Sequence, residues 1–363
     1  VIWLCLGIAI LLSLPVSFAA VVASLQFELR REYLPQLVRI FLEKPLFLVP
    51  RGQPLSDAEE VCFRNGAGQT LVGCYWRTAH RRKGVVLFGL EFGSNRWSCA
   101  AYCSALREAG YDVFAFEPRN QGDSDTDPTY EPLQWVTDRD VADVRAAVAY
   151  LKGRPDADPR GLGLFGVSKG GSAGLLAMAD EPAVRCIVTD GAFATYTTMI
   201  PFMRKWFRIY NKNFRLHELF PTWYFGMVAR AGLRHLERAR GVHFEDLERA
   251  LPRLAPRPWL QIHGGGDTYI TPSMARTLNA KAEAPKEIWL VEKAKHNQAL
   301  HLAGAEYHRR LVEFFDRHLA EQYPEPEPSS AEIAAEPVVS RTREVLEAVL
   351  RYVAGGRAQS SRG

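Results

Sequence analysis

Ser168 stands in the segment GVSKGG, Gly166 to Gly171, between an apolar run that reads as a strand, GLGLF (Gly161 to Phe165), and a helix that begins in GGSAGLLAMA (Gly170 to Ala179). The spacing is Gly-x-Ser-x-Gly, in which small residues let a strand turn sharply into a helix and thrust the serine hydroxyl outward. Such a hydroxyl attacks a carbonyl only when an imidazole takes its proton. The imidazole in turn needs a carboxylate to fix its tautomer and stabilise the imidazolium.

Both partners follow in chain order. PWLQIHGGGDTYITP (Pro258 to Pro272) reads as a buried strand ending in a Gly-rich turn that presents Asp267, and EIWLVEKAKHN (Glu287 to Asn297) as a strand and short loop carrying His296. Each lies just past the carboxyl end of a strand, where open α/β sheets place their ligands. The expected set is Ser168 as nucleophile, His296 as base and Asp267 as the acid that orients it. Asp190, at the end of VRCIVTD, is the alternative acid. His263 at a strand end reads as a structural histidine, and His301 and His308 fall in the helical pattern HLAGAEYHRRLVEFFDRHL as part of a solvated face.

With these residues in place the chain resembles the α/β-hydrolase family, from about Glu59 to about Leu319. GVVLFGLEFGSNRW (Gly84 to Trp97) looks like the family's strand and oxyanion loop, and YDVFAFEPRNQGDSD (Tyr111 to Asp125) like its next strand and Asp-x-Arg-Gly-x-Gly-x-Ser turn. Glu117, Arg119, Gly122 and Ser124 occupy that turn, with Glu for the usual Asp and Asn120 for the first Gly. The serine aminopeptidase-like and esterase or lipase branches look most similar.

The resemblance implies a mostly parallel sheet flanked by helices, with a helical lid inserted after the sixth strand. It also implies an oxyanion hole of two backbone amides, one from Lys169 and one from the loop after VVLF. Many relatives have His-Gly there, whereas this chain has Gly89, Leu90 and Glu91; the loop length favours the Glu91 amide, with Leu90 second. The Glu91 carboxylate must then face away from the oxyanion. The Lys169 side chain is expected to be solvated, as helix-start lysines usually are.

Composition excludes other classes. The chain of 363 residues is 47% hydrophobic, enough for a sizeable core, and its 45 basic and 41 acidic residues leave a net charge of +4, too balanced for an electrostatic nucleic-acid binder. The six cysteines show no metal-ligand spacing, and neither metal nor cofactor is implied. They read as buried thiols, although Cys62 and Cys74 could face each other across paired strands.

Residues 1–27 contain no charged side chain and are predicted to cross a bilayer as a single-pass anchor. Arg30, Arg31 and Lys44 follow it, which would set the catalytic domain in the cytoplasm; a cleaved signal peptide, with small residues from Ala20 to Ser24, is the alternative. Residues 28–58 then form a linker, 59–321 the hydrolase domain and 322–363 a Pro/Glu-rich linker with a short terminal helix. The run LQWVTDRDVADVRAAVAYLK (Leu133 to Lys152) has helical spacing. The lid spans 193–252, rich in aromatics, and Trp206 and Phe207 are its candidate substrate contacts.

The expected function is cleavage of a carboxylic ester, a small-molecule acyl substrate, through an acyl-enzyme. A thioesterase, an amidase or peptidase, or an acyltransferase would use the same triad, and a catalytically silent binding protein is the alternative of another class.

Overall fold

The computed structural model describes residues 2–42, 51–210, 221–283 and 285–321. A long helix, α1 (Ile2–Leu42), precedes two strands, β1 (Glu59–Arg64) and β2 (Thr70–Trp76). Strands and helices then alternate: β3 (Gly84–Gly89), α2 (Cys99–Glu108), β4 (Tyr111–Phe116), α3 (Asp138–Gly153), β5 (Leu162–Val167), α4 (Lys169–Met178) and β6 (Val184–Asp190). Among the described residues the α-helices α5 (Thr195–Tyr210), α6 (Thr222–Arg240) and α7 (Leu247–Ala250) intervene. The sheet is completed by β7 (Trp259–Gly264), α8 (Pro272–Lys281), β8 (Lys286–Val291), α9 (Ala299–Ala303) and α10 (Ala305–Phe315).

The eight strands lie in the order β1-β2-β4-β3-β5-β6-β7-β8. Pairing is antiparallel from β1 to β2 and from β2 to β4, and parallel across the rest. Parallel strands need helical crossovers, so both faces are covered; accordingly every residue of β3, β4, β5 and β7 is buried. Alternation along β3 sorts the core. Val85 and Leu87 pack with Val144 and Val148 of α3 and Leu175 of α4, while Val86 and Phe88 pack with Tyr102 of α2 and Leu311 of α10.

Chain order reverses where β4 lies on one side of β3 and β5 on the other. The crevice past the carboxyl ends of β3 and β5 is therefore the switch point at which such sheets hold ligands. The loop after β3 and Ser168 after β5 both open there.

Three local readings differ from expectation. The helix read from Leu133 starts at Asp138, because Thr137 and Asp140 form a capping box, with Thr137 N donating to Asp140 Oδ2 at 2.8 Å. Leu133 and Trp135 are instead drawn into an apolar layer with Phe193, Met199 and Tyr224 above the sheet. Cys62 pairs in register with Val72, and Cys74 with Glu60, so these two thiols do not face each other; Cys62 is exposed and Cys74 buried.

The amino-terminal anchor is overturned: among the described residues no helix is long and apolar enough to cross a membrane. The apolar run is not a separate span but part of one 41-residue helix that continues through Glu28, Arg30, Arg31, Glu32 and Arg39 into the segment read as a linker. That helix docks on the protein. Gln26 Nε2 donates to the Tyr224 carbonyl at 3.3 Å, Trp135 Nε1 donates to the Phe41 carbonyl at 2.9 Å, and the Phe41 ring stacks on Trp135 at 4.5 Å. Membrane association and the cytoplasmic placement derived from it fall with the anchor. The tail, 322–363, lies outside the described residues.

Candidate active site

The strand-to-helix turn between β5 and α4 holds Ser168 at φ 51° and ψ −119°. A positive φ is unfavourable for a residue with a Cβ, costing about 1–3 kcal/mol, and it persists only where the surroundings impose it. Here Ser168 N donates to the Asp190 carbonyl at 2.7 Å, and Ser172 N and Oγ both donate to the Ser168 carbonyl at 3.1 Å. A side-chain carbon on Gly170 would overlap the carbonyls of Gly89 and Leu90. Glycine there lets the start of α4 lie directly against the loop after β3.

Ser168 Oγ stands 3.0 Å from His296 Nε2, and His296 Nδ1 stands 2.7 Å from Asp267 Oδ2. The Asp267 carboxylate can only accept, so Nδ1 carries the proton and Nε2 is left to accept from the serine hydroxyl. Asp267 is itself held, with Oδ1 accepting from Tyr269 N at 2.8 Å and Ile270 N at 2.9 Å. Its loop meets the His296 loop backbone to backbone: Gly265 N donates to the Val291 carbonyl at 2.7 Å and Gly266 N to that of Ala294 at 2.9 Å. A Cβ on Gly264 would overlap the Ala294 carbonyl, which is what the Gly-rich turn avoids.

The alternatives take other roles. Asp190 is 1% exposed and accepts from the Tyr307 hydroxyl at 2.9 Å rather than from His296. Its carboxyl is pushed up to about 7, chiefly by burial, with Glu91 and Asp267 adding repulsion and Tyr307 and His296 opposing. His263 Nε2 lies 2.7 Å from the Ile270 carbonyl and props the Asp267 turn, and burial holds its pKa below the ordinary value. His301 is exposed and His308 half-buried, on α9 and α10, away from these contacts.

Lys169 departs from expectation. Its side chain is not solvated but buried, with Nζ 2.7 Å from Asp140 Oδ1 and 5.2 Å from the centre of the Phe92 ring. Asp140 draws it in: as the residue that closes the capping box of α3 it is a buried carboxylate that needs a cation, and α3 packs beside α4. The Glu91 carboxylate is held by Tyr102 and Asn297.

In the turn after β4, Glu117 accepts from Arg96 N and Asp123 N, and Asn120 takes the left-handed φ of 62° that the family's glycine would supply. Residue type alone did not single out Tyr269, whose ring meets His296 edge to face at 5.5 Å and whose hydroxyl donates to Gln134. Its position two residues past Asp267 is the available signal. The Trp206 and Phe207 side chains lie outside the described residues; the earlier part of α5 contributes Phe202, which packs on Tyr269 at 5.6 Å.

The sequence profile described as the alpha/beta hydrolase family matches residues 65–313. Among curated proteins, the uncharacterised protein YfhR of Salmonella typhi is 24% identical over 263 residues, 68% of this chain and 77% of its own. The acyltransferase drtE of Aspergillus calidoustus is 35% identical over 133 residues, 37% of this chain and 42% of its own. Among solved structures, the Pyrococcus furiosus esterase Pf2001 superposes with a TM-score of 0.56 at 18% identity, covering 76% of this chain and 100% of its own, a likeness of fold. With the eight-stranded sheet and a profile match over most of its length, the chain belongs to the alpha/beta hydrolase family.

Proposed function

We propose that this protein is a serine hydrolase that cleaves a carboxylic ester through an acyl-enzyme on Ser168. The observation that carries the proposal is the unbroken relay of 3.0 Å from Ser168 Oγ to His296 Nε2 and 2.7 Å from His296 Nδ1 to Asp267 Oδ2. In the proposed cycle Ser168 Oγ attacks the substrate carbonyl while His296 Nε2 takes its proton. The amides of Lys169 and Glu91 hold the oxyanion, and the imidazolium, steadied by Asp267, returns the proton to the departing alkoxide. His296 then deprotonates a water that attacks the acyl carbonyl, and Ser168 leaves with its proton restored.

A thioester, an amide or transfer to an alcohol would pass through the same acyl-enzyme. The partial similarity to an acyltransferase favours acyl chemistry in general, and the ester is chosen because protonation by His296 suffices for its leaving group. The silent binding protein is disfavoured, since a mere ligand-binding fold has no need of a strained serine aligned on an imidazole and a carboxylate. The helices between β6 and β7 serve as a lid in this reading, with the apolar layer under them taking the acyl chain.

The test is labelling by a serine-directed fluorophosphonate, with hydrolysis of p-nitrophenyl acetate in parallel. Label on Ser168, with both label and hydrolysis lost in Ser168→Ala, is the expected result. Label and turnover that persist in Ser168→Ala overturn the assignment.

A further inference from the structure

Glu91 lies two residues past the end of β3, beside the nucleophile, yet only 4% of it is exposed. Both carboxylate oxygens are engaged. Oε1 accepts from the Tyr102 hydroxyl of α2 at 3.1 Å, and Oε2 accepts from Asn297 Nδ2 at 2.6 Å. Asn297 directly follows His296 and sits at φ 56°, a left-handed backbone that a non-glycine residue holds only when something fixes it. On another side the loop meets the end of β6: a Cβ on Gly191 would lie 2.8 Å from Asn297 Oδ1 and 3.3 Å from His296 Cε1. The segment carrying His296 is thus confined by Gly191 and tied by Asn297 to the loop after β3.

We propose that Glu91 is a positioning residue for the reaction: through Asn297 its carboxylate ties the His296 loop to the oxyanion loop, and its charge steadies the imidazolium formed when His296 takes the Ser168 proton. This rests on the reading of Ser168 and His296 as nucleophile and base. A carboxylate in the oxyanion loop, which would repel a tetrahedral oxyanion if it faced it, is instead turned to the histidine, where negative charge helps. Two donors, one on each oxygen, suit the ionised form. Burial raises the Glu91 carboxyl above the ordinary carboxylate range, and the hydrogen bonds from Asn297 and Tyr102 and the nearby His296 offset part of that rise. The other titratable groups facing this cluster are Asp267 and His263 beside His296, Asp190 at the end of β6, Cys103 of α2 and Tyr307 of α10, all buried.

The charge and the tie separate experimentally. Glu91→Gln removes the charge while a turned Asn297 amide can still pair with it, and Asn297→Ala removes the tie. With p-nitrophenyl acetate, Asn297→Ala should lower kcat about 10- to 100-fold with KM within about threefold, as misplacement of a reacting group does. Glu91→Gln should move the acid limb of the kcat/KM profile to lower pH by about half a unit or more, because the imidazolium loses a nearby anion. The same displacement should persist in an Asp190→Asn background, which removes the other carboxyl titrating in that range. The double variant Glu91→Gln with Asn297→Ala should be no slower than Asn297→Ala alone by more than about threefold.

An unmoved acid limb in Glu91→Gln, or an unchanged kcat in Asn297→Ala, overturns the proposal. Unfolding curves of each variant guard against a folding defect. Should Glu91→Gln not fold, the Asn297→Ala split between kcat and KM decides, and a loss confined to KM counts against it. Fluorophosphonate labelling of the unaltered protein keeps the two readings apart: labelled Ser168 with an unmoved profile removes only the role of Glu91, whereas no dependence on Ser168 removes the reading beneath it.

Discussion

Replacing Asp190 with Asn removes a proton-binding group that sits wholly inside the protein. Its carboxyl is pushed from the ordinary 3.8 up to about 7, so between those values the folded chain holds a proton that the unfolded chain has released. A raised folded pKa contributes stability that is fully present below the unfolded value and lost as pH rises through the folded one. At about 1.4 kcal/mol per pH unit, the rise from about pH 5 to 8 crosses roughly two units of that window and removes about 3 kcal/mol. Asn accepts the Tyr307 hydrogen bond as Asp does, without titrating. Urea unfolding of both proteins at pH 5, 6, 7 and 8 reads the difference directly: the unaltered protein should lose about 3 kcal/mol more than Asp190→Asn across the series. Parallel curves would refute the reasoning. Turnover of short esters by Asp190→Asn should stay within several-fold, since the carboxylate on His296 belongs to Asp267.

Asp267→Asn should lower kcat by about 10⁴, because an amide in its place stabilises the wrong imidazole tautomer; a loss under tenfold in steady-state kinetics contradicts the relay. Lys169→Met strands the buried Asp140 carboxylate and should cost about 3–5 kcal/mol in urea unfolding, with part recovered by adding Asp140→Asn. No recovery would show that the pair is not what α4 and α3 share. For the proposed lid, Trp206→Ala with Phe207→Ala should weaken cleavage of long-chain p-nitrophenyl esters more than of the acetate, and equal losses on both reduce the lid to a structural cap.

The placement of Ser168, Asp267 and His296 just past strand ends was legible because each needs only a local pattern: a glycine-flanked turn, or a strand followed by a short loop. These patterns survive in one dimension. The Glu91 side chain was not legible, since its direction depends on Asn297, which is 206 residues away. Lys169 misled for the same reason: helix-start lysines usually reach water, and only the packing of α3 on α4 brings Asp140 to it. At the amino terminus, composition was read as a membrane solvent, whereas the helix runs on into charged residues and docks. The contacts that hold the helix, at Gln26 and Phe41, come from residues much later in the chain, while Leu12, Val16 and Phe18 of the apolar run stay exposed.

That lateness has a consequence for how the chain is made. The helix α1 is synthesised before the sheet, but Gln26 waits for Tyr224, which emerges 198 residues later. At a ribosomal rate of roughly 5–20 residues per second the interval is about 10–40 s. Trp135, the partner of Phe41, emerges 94 residues after it, so until Tyr224 follows only the end of the helix near Phe41 has its dock and the part around Gln26 is free to find other nascent chains. A helix made before the sheet is therefore among the last elements to complete its native contacts. The yield of folded protein should respond to holdase chaperones and to translation speed more than its final stability does.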